Sequence, residues 1–187
     1  QQIAKGKTTK VNVNSKSLQK KYGLTSNQLK AASELKVTAI GDSVMADASQ
    51  DIQEIMPHAY VDAEVGRQGS ATPAVIKDLK AKGQLQKNVI LNLGTNGAMD
   101  SQTINDILTA IGKDHQVYWI TPHVPTRDWV CDQIKQAAKQ NANVHVIDWN
   151  QAANGHAEWF AQDKVHMNEQ GNAYFTRLIV KTILKNK

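Results

Sequence analysis

Two short segments far apart in the chain carry side chains suited to acyl transfer. Ser43 follows Gly41-Asp42 directly after the β-branched run Val37–Ile40, and it opens a stretch with helical spacing. A serine hydroxyl is too weakly acidic to attack a carbonyl at neutral pH without a partner base. The segment Asp163-Lys164-Val165-His166 supplies one candidate, with a carboxylate three residues before an imidazole. On a turn, that spacing lets the carboxylate accept the imidazole Nδ1–H, leaving Nε2 free to take a proton from the serine. His58, His115, His123, His145 and His156 have no acidic residue at this offset. A plain reading stands beside each motif. Ser43 also suits a helix N-cap, and Asp163 can cap a turn with His166 as an ordinary surface residue.

An attacked carbonyl develops negative charge, which needs hydrogen-bond donors already in place. Ser43 opens its helix, so its own N–H is one candidate. Asn96, in Gly94-Thr95-Asn96, can offer a neutral side-chain N–H, and Gly94 permits a tight loop. Gly66 can offer a backbone N–H where a Cβ would crowd an acyl group; Gly69 competes for that role. Both glycines also suit a simple turn.

These residues need elements to hold them. Five β-branched runs recur: Val37–Ile40, Tyr60–Val65, Val89–Leu93, Val117–Thr121 and Val144–Ile147. Helically spaced segments separate them, and a last one carries Tyr174, Phe175, Leu178, Ile179 and Ile183. This alternation predicts an α/β fold, a three-layer α/β/α sandwich with a central five-stranded parallel sheet. In such a sheet ligands bind beyond the carboxyl ends of the strands. The segments following the runs, which hold Ser43, Gly66, Asn96 and Pro122-His123-Val124-Pro125, should therefore open on one edge, together with Asp163–His166. Residues 1–33 are rich in Lys, Gln, Asn, Ser and Thr and read as a polar linker or arm. Thr25 with Gln28 forms a possible capping box for a short helix there. Residues 34–187 read as the catalytic domain.

The formal charge of +5 is spread along the chain, with only three arginines and no nucleic-acid motif, so a nucleic-acid partner is not expected. A mildly basic surface equally suits an anionic matrix such as a cell wall. No His-x-x-x-His or paired-cysteine spacing points to a metal, no phosphate loop points to a nucleotide, and no cofactor is expected. Cys131 is the only cysteine and reads as structural. No apolar run approaches the roughly 20 residues of a spanning helix. The chain opens on Gln1 without a basic-then-apolar leader, so any targeting segment is expected to have been removed or to lie outside it. Trp119 lies in a strand run and belongs to the core, whereas Trp149 is ambiguous. Trp129 and Trp159 fall near the expected rim, where indoles could stack on a sugar. Arg67 suits either an anionic substrate group or a satisfied surface position. Asp42 is expected to hold its loop through backbone hydrogen bonds.

Together, Gly41-Asp42-Ser43, Gly66, Gly94-Thr95-Asn96 and Asp163 with His166 resemble the sequence blocks of the SGNH (GDSL-like) hydrolase superfamily. That resemblance covers about Leu35 to the C-terminus and implies a flavodoxin-like SGNH fold. It implies Ser43 as nucleophile, His166 as base, Asp163 as its orienting partner, and Ser43, Gly66 and Asn96 as oxyanion donors. The longer blocks Gly41–Met45, Asp62–Gln68, Gly94–Gly97 and Asp163–Asn168 look like the extracytoplasmic domain of Gram-positive peptidoglycan O-acetyltransferases. This narrower likeness implies acetyl transfer through acetyl-Ser43 to a hydroxyl of a peptidoglycan amino sugar. It also implies that a membrane acyltransferase domain absent from this chain supplies the acetyl group, with this domain at the extracellular face or cell wall. The departure from the pattern is Thr121–Trp129, which carries His123. An acetylesterase and a non-catalytic wall-binding module are the alternatives. An active-serine probe separates the module, which would stay unlabelled, from either enzyme.

Overall fold

A computed structural model describes residues 1–97 and 99–187. Its sheet is built from β1 (Gln2–Ala4), β2 (Val37–Gly41), β3 (Tyr60–Ala63), β4 (Asn88–Asn92), β5 (Gln116–Ile120) and β6 (Val144–Ile147). The strand order is β1-β3-β2-β4-β5-β6. Every pairing is parallel except that of β1 with β3. Successive strand residues point to opposite faces, and here both faces are covered. Val37, Ala39, Val61, Ile90, Tyr118 and Ile120 enter one apolar cluster with α3 (Ser43–Ile55) and α8 (Glu169–Lys185). Ile40, Val89, Leu91, Val117 and Trp119 enter the other, beneath α4 (Thr72–Ala81), α5 (Ser101–Ile111) and α6 (Asp128–Gln140). That double burial is why the strands read as apolar runs rather than alternating ones. The short α7 (Trp149–Ala153) follows β6. Among the described residues, no helix is long and apolar enough to cross a membrane.

The register aligns the strand ends. Gly41 pairs with both Ala63 and Asn92, Asn92 with Ile120, and Ile120 with Ile147. One row of residues thus crosses the sheet, and the loops beyond it leave from a common edge.

The N-terminal region differs from the expected linker, and the sheet has six strands rather than five. β1 adds an antiparallel edge to β3, pairing Ile3 with Asp62. α1 (Lys16–Tyr22) starts at an Ser15 N-cap and stops at Gly23, whose φ of 59° suits glycine. α2 (Ser26–Ser33) has both bonds of the Thr25–Gln28 capping box. Tyr22, Leu24, Leu29 and Ala32 are buried in the same cluster as α8. The Tyr22 hydroxyl also bonds Asp51 and Glu54 on α3, each at 2.7 Å. A few well-placed apolar residues bind this polar stretch to the body; its composition hides them.

Leu29 decides whether the segment is integral. Leu29→Ala should cost about 2–5 kcal/mol in urea unfolding, as a buried leucine does. A change within about half a kcal/mol, the mark of a surface site, would return the segment to an arm.

Candidate active site

Ser43 is the first residue of α3, and the N-cap is Asp42, whose carboxylate accepts the Val44 N–H at 3.0 Å. The cap bond frees the serine hydroxyl from capping duty. Asp42 is fully buried, and burial raises its carboxyl above the usual range against the pull of the Val44 N–H. Its own N–H donates to the Asn92 carbonyl across the sheet end. Gly41 must be small because an added Cβ would lie 2.4 Å from that of Met45.

The second half of the site is a strap between α7 and α8. Phe160 and Met167 form an antiparallel bridge, and the Ala161 N–H donates to the His166 carbonyl at 2.8 Å. At its tip Asp163 Oδ1 accepts the N–H groups of Val165 and His166, both at 2.9 Å, while Oδ2 takes His166 Nδ1–H at 2.6 Å. Lys164 is carried through the left-handed region, at φ 61°. The Val165 N–H, the imidazole and the His166 N–H together lower the Asp163 carboxyl to about 2. With Nδ1 donating to a carboxylate, Nε2 is the accepting nitrogen, and it lies 2.8 Å from Ser43 Oγ. Residues 120 positions apart in sequence thus form a continuous serine–imidazole–carboxylate chain. The base of the strap is fixed by Asn168, which caps α8 at Gly171 N–H and donates to the Glu158 carbonyl at 2.7 Å. Gly171 allows this approach, since a Cβ there would fall 2.2 Å from the Trp159 carbonyl oxygen.

The loop after β4 approaches from the other side. Asn96 Nδ2 reaches the Arg67 carbonyl at 3.4 Å, and Gln68 Nε2 donates to the Asn96 carbonyl at 3.0 Å. Arg127 donates to the Thr95 carbonyl. These contacts join the loops that hold Asn96 and Gly66. Gly66 is exposed with φ 77° and open space around it, whereas Gly69 is buried and tight against Met99. Of the two, Gly66 has the freer backbone.

Two expected substrate contacts are turned inward. Arg67 is 4% exposed; its guanidinium bonds the Gly41 and Asp62 carbonyls, the Asp62 carboxylate at 2.9 Å and Glu64. It braces the nucleophile loop to β3, a role set by burial and not by any local spacing. Trp159 is 6% exposed and stacked between His156 and Tyr174, with centroids 3.8 and 4.3 Å away. Trp129, by contrast, is 46% exposed at the start of α6. Trp119 is fully buried, and Trp149 is 2% exposed. Cys131 is buried with its Sγ–H on the Pro122 carbonyl, and burial pushes the thiol up to about 11. Sequence reasoning missed Gln68, Arg127 and Asp47. Asp47 lies one helical turn after Ser43; partial burial raises its carboxyl, against the pull of His166.

No family model matches the chain. It is 41% identical over 151 residues to the O-acetyltransferase OatA of Staphylococcus aureus (strain NCTC 8325), across 77% of this chain and 24% of that protein. The likeness to O-acetyltransferases of this type extends over most of the chain. The chain spans about a quarter of the length of the relatives it matches. Among solved structures, the chain superposes with a TM-score of 0.72 on the C-terminal catalytic domain of peptidoglycan O-acetyltransferase A (OatA) from Streptococcus pneumoniae, solved with a methylsulfonyl adduct. Identity there is 22%, covering 80% of this chain and 93% of that one. A carbohydrate esterase family 3 enzyme from Talaromyces cellulolyticus gives a TM-score of 0.61 at 17% identity, covering 81% and 97%. Those two likenesses establish the fold.

The depressed Asp163 carboxyl has a thermodynamic signature. Because its folded value of about 2 lies below the ordinary 3.8, ionised Asp163 favours the folded state. That contribution is complete above 3.8 and disappears as pH falls through about 2. The urea midpoints of wild type and Asp163→Asn should therefore differ most near pH 5 and converge only as pH falls below about 2. A gap that stays constant across this range would show that the turn does not depend on the charge.

Proposed function

We propose that this chain is a serine-dependent O-acetyltransferase acting on a hydroxyl of a peptidoglycan amino sugar. The observation that carries the reading is the unbroken chain from Ser43 Oγ to His166 Nε2 and from His166 Nδ1 to Asp163. The names of its relatives supply the substrate class. In the first half-reaction Ser43 Oγ attacks the donor's acetyl carbonyl as its proton passes to His166 Nε2. The tetrahedral oxyanion is held by the Ser43 N–H, the Gly66 N–H and the Asn96 side chain. It collapses to acetyl-Ser43, and the departing donor group takes the proton from His166. In the second half-reaction the sugar hydroxyl gives its proton to His166 and attacks the same carbonyl. Ser43 leaves as the alcohol, reprotonated by the imidazole. Asp163 stays ionised throughout and stabilises the transient imidazolium.

Trp129 offers an indole at the rim for a sugar face. The acetyl group reaches Ser43 from a membrane acyltransferase domain of the full-length protein, and the present domain works outside the cytoplasmic membrane against the wall. Neither step calls for a metal or cofactor. Acetylester hydrolysis is the second reading. It is favoured by the relay's exposure, His166 being 38% and Asp163 49% solvent-accessible in their side chains, because water can resolve the same intermediate.

A fluorophosphonate probe should label wild type once, on Ser43, and leave Ser43→Ala unlabelled; an unlabelled wild type would favour a binding module. Asn96→Ala should lower kcat for acetyl transfer by about a hundredfold to a thousandfold, with little change in donor KM. A loss confined to KM would remove Asn96 from the oxyanion hole. Supplying an acetyl donor with and without muropeptide fragments then separates the activities. Acetylated sugar above the hydrolytic background identifies the transferase, and hydrolysis indifferent to sugar identifies the esterase.

A further inference from the structure

The loop after β5 leaves the sheet at the same edge as the relay, and it is where the sequence departs from the pattern it resembles. A cleft of about 520 Å³ opens there, lined by His123, Asn150, Asn154, His156, Phe160 and Lys164 among others. It shares a wall with the relay. Phe160 and Lys164 both belong to the strap that carries His166, through the Phe160–Met167 bridge and the Ala161–His166 hydrogen bond. The volume falls in the range of small-ligand sites.

The polar groups at one end of this cleft are oriented in a determinate way. Asn150 is anchored by its backbone N–H on the Thr121 hydroxyl at 3.0 Å. Its Nδ2 faces Asp128 Oδ1 at 3.3 Å, and a carboxylate only accepts. The amide oxygen must therefore face His123, whose Nδ1 lies 2.9 Å away. His123 consequently carries its hydrogen on Nδ1, and Nε2 of the neutral ring presents a lone pair. Among the described residues nothing bonds that nitrogen. The ring is held flat on Phe160, with centroids 4.9 Å apart and planes 26° apart. At the strap side Lys164 is exposed in its left-handed conformation, with its ammonium free of any ion pair among the described residues.

From this arrangement we propose that the cleft is a saccharide subsite, holding the sugar of the acceptor strand next to the one acetylated. His123 Nε2 accepts a sugar hydroxyl hydrogen, Phe160 and His123 present an aromatic edge to the ring, and Lys164 pairs with a carboxylate substituent on the strand. Glycan recognition wants this mixture of a fixed acceptor, an apolar face and many small polar neighbours. A purely apolar ester substituent laid in the cleft would cover His123 Nε2 without giving it a donor, at a desolvation cost. The subsite rests on the acetyl-transfer reading for its place in the reaction, but binding to the cleft does not depend on catalysis.

The test uses two measurements. In the first, Ser43→Ala protein, which cannot turn over, is titrated by NMR with chitotetraose, which is neutral, and with a peptide-free tetrasaccharide containing N-acetylmuramic acid, which bears carboxylates. The acidic sugar should bind several-fold more tightly. Adding His123→Ala should weaken both sugars about tenfold, roughly the worth of one good hydrogen bond. Adding Lys164→Asn, a residue that tolerates positive φ, should abolish the preference for the acidic sugar and leave the neutral one unaffected. In the second, the ratio of sugar acetylation to acetyl-ester hydrolysis should fall about tenfold in His123→Ala. Sugar binding indifferent to both substitutions overturns the subsite, whatever the activity. Sugar binding that responds to both substitutions in a chain that only hydrolyses esters would uphold the subsite and overturn the transferase.

Discussion

The Asp163 carboxylate accepts three N–H groups at once: those of Val165 and His166 in the backbone and Nδ1 of the His166 ring. Each bond alone is ordinary, but together they couple the shape of the turn to the direction of the imidazole. The two backbone bonds hold the tip closed while Lys164 passes through a conformation that side chains other than glycine rarely adopt. The third bond fixes which ring nitrogen carries hydrogen, and so which one faces Ser43. Breaking the carboxylate's grip would release turn, tautomer and ring position together. Asn168 and the close packing of Gly171 on the Trp159 carbonyl give this small device a rigid base at the head of α8.

The opposite side of the site depends on the sheet. A register that brings Gly41, Ala63, Asn92, Ile120 and Ile147 into one row makes the loops beyond them neighbours whatever their separation in sequence. Asp42 ties its loop into that row through the Asn92 carbonyl, and Arg67 ties it to β3 through the Gly41 and Asp62 carbonyls. A buried guanidinium is costly unless its charge is paired. Here Asp62 pairs the charge and two carbonyls take the hydrogens of one terminal nitrogen, while Nε has no partner among the described residues. The loops of Gly66 and Asn96 are then joined to each other through Gln68 and the Arg67 carbonyl.

How much of this could be read from residues alone follows from the range of each interaction. The parallel strands were legible because burial on both faces writes them as short apolar runs, and Asp163–His166 because its partners lie within three residues. Tyr22, Leu24 and Leu29 were obscured by the lysines and glutamines around them, since a two-helix segment that leans on a larger body needs few apolar residues of its own. β1 is three residues long and carries no pattern. Arg67 and Trp159 were misjudged for a common reason. Exposure is decided by what packs from elsewhere in the chain: Asp62 and Gly41 against the first, His156 and Tyr174 against the second. Gln68 and Arg127 act through backbone carbonyls of another loop, which leave no trace in side-chain spacing.

The strap that carries His166 projects into solvent, with more than a third of the ring and half of the Asp163 side chain accessible. On the proposed chemistry, a base and carboxylate this open to solvent can be approached from along a long polymer and not by a free chain end alone. An acetylated Ser43 would be buried itself but would sit beside a base that water can reach. Its useful lifetime is then set by how soon a polymer strand comes to lie across it, so productive yield would follow from tethering the domain within a dense mesh more than from speeding the chemical step.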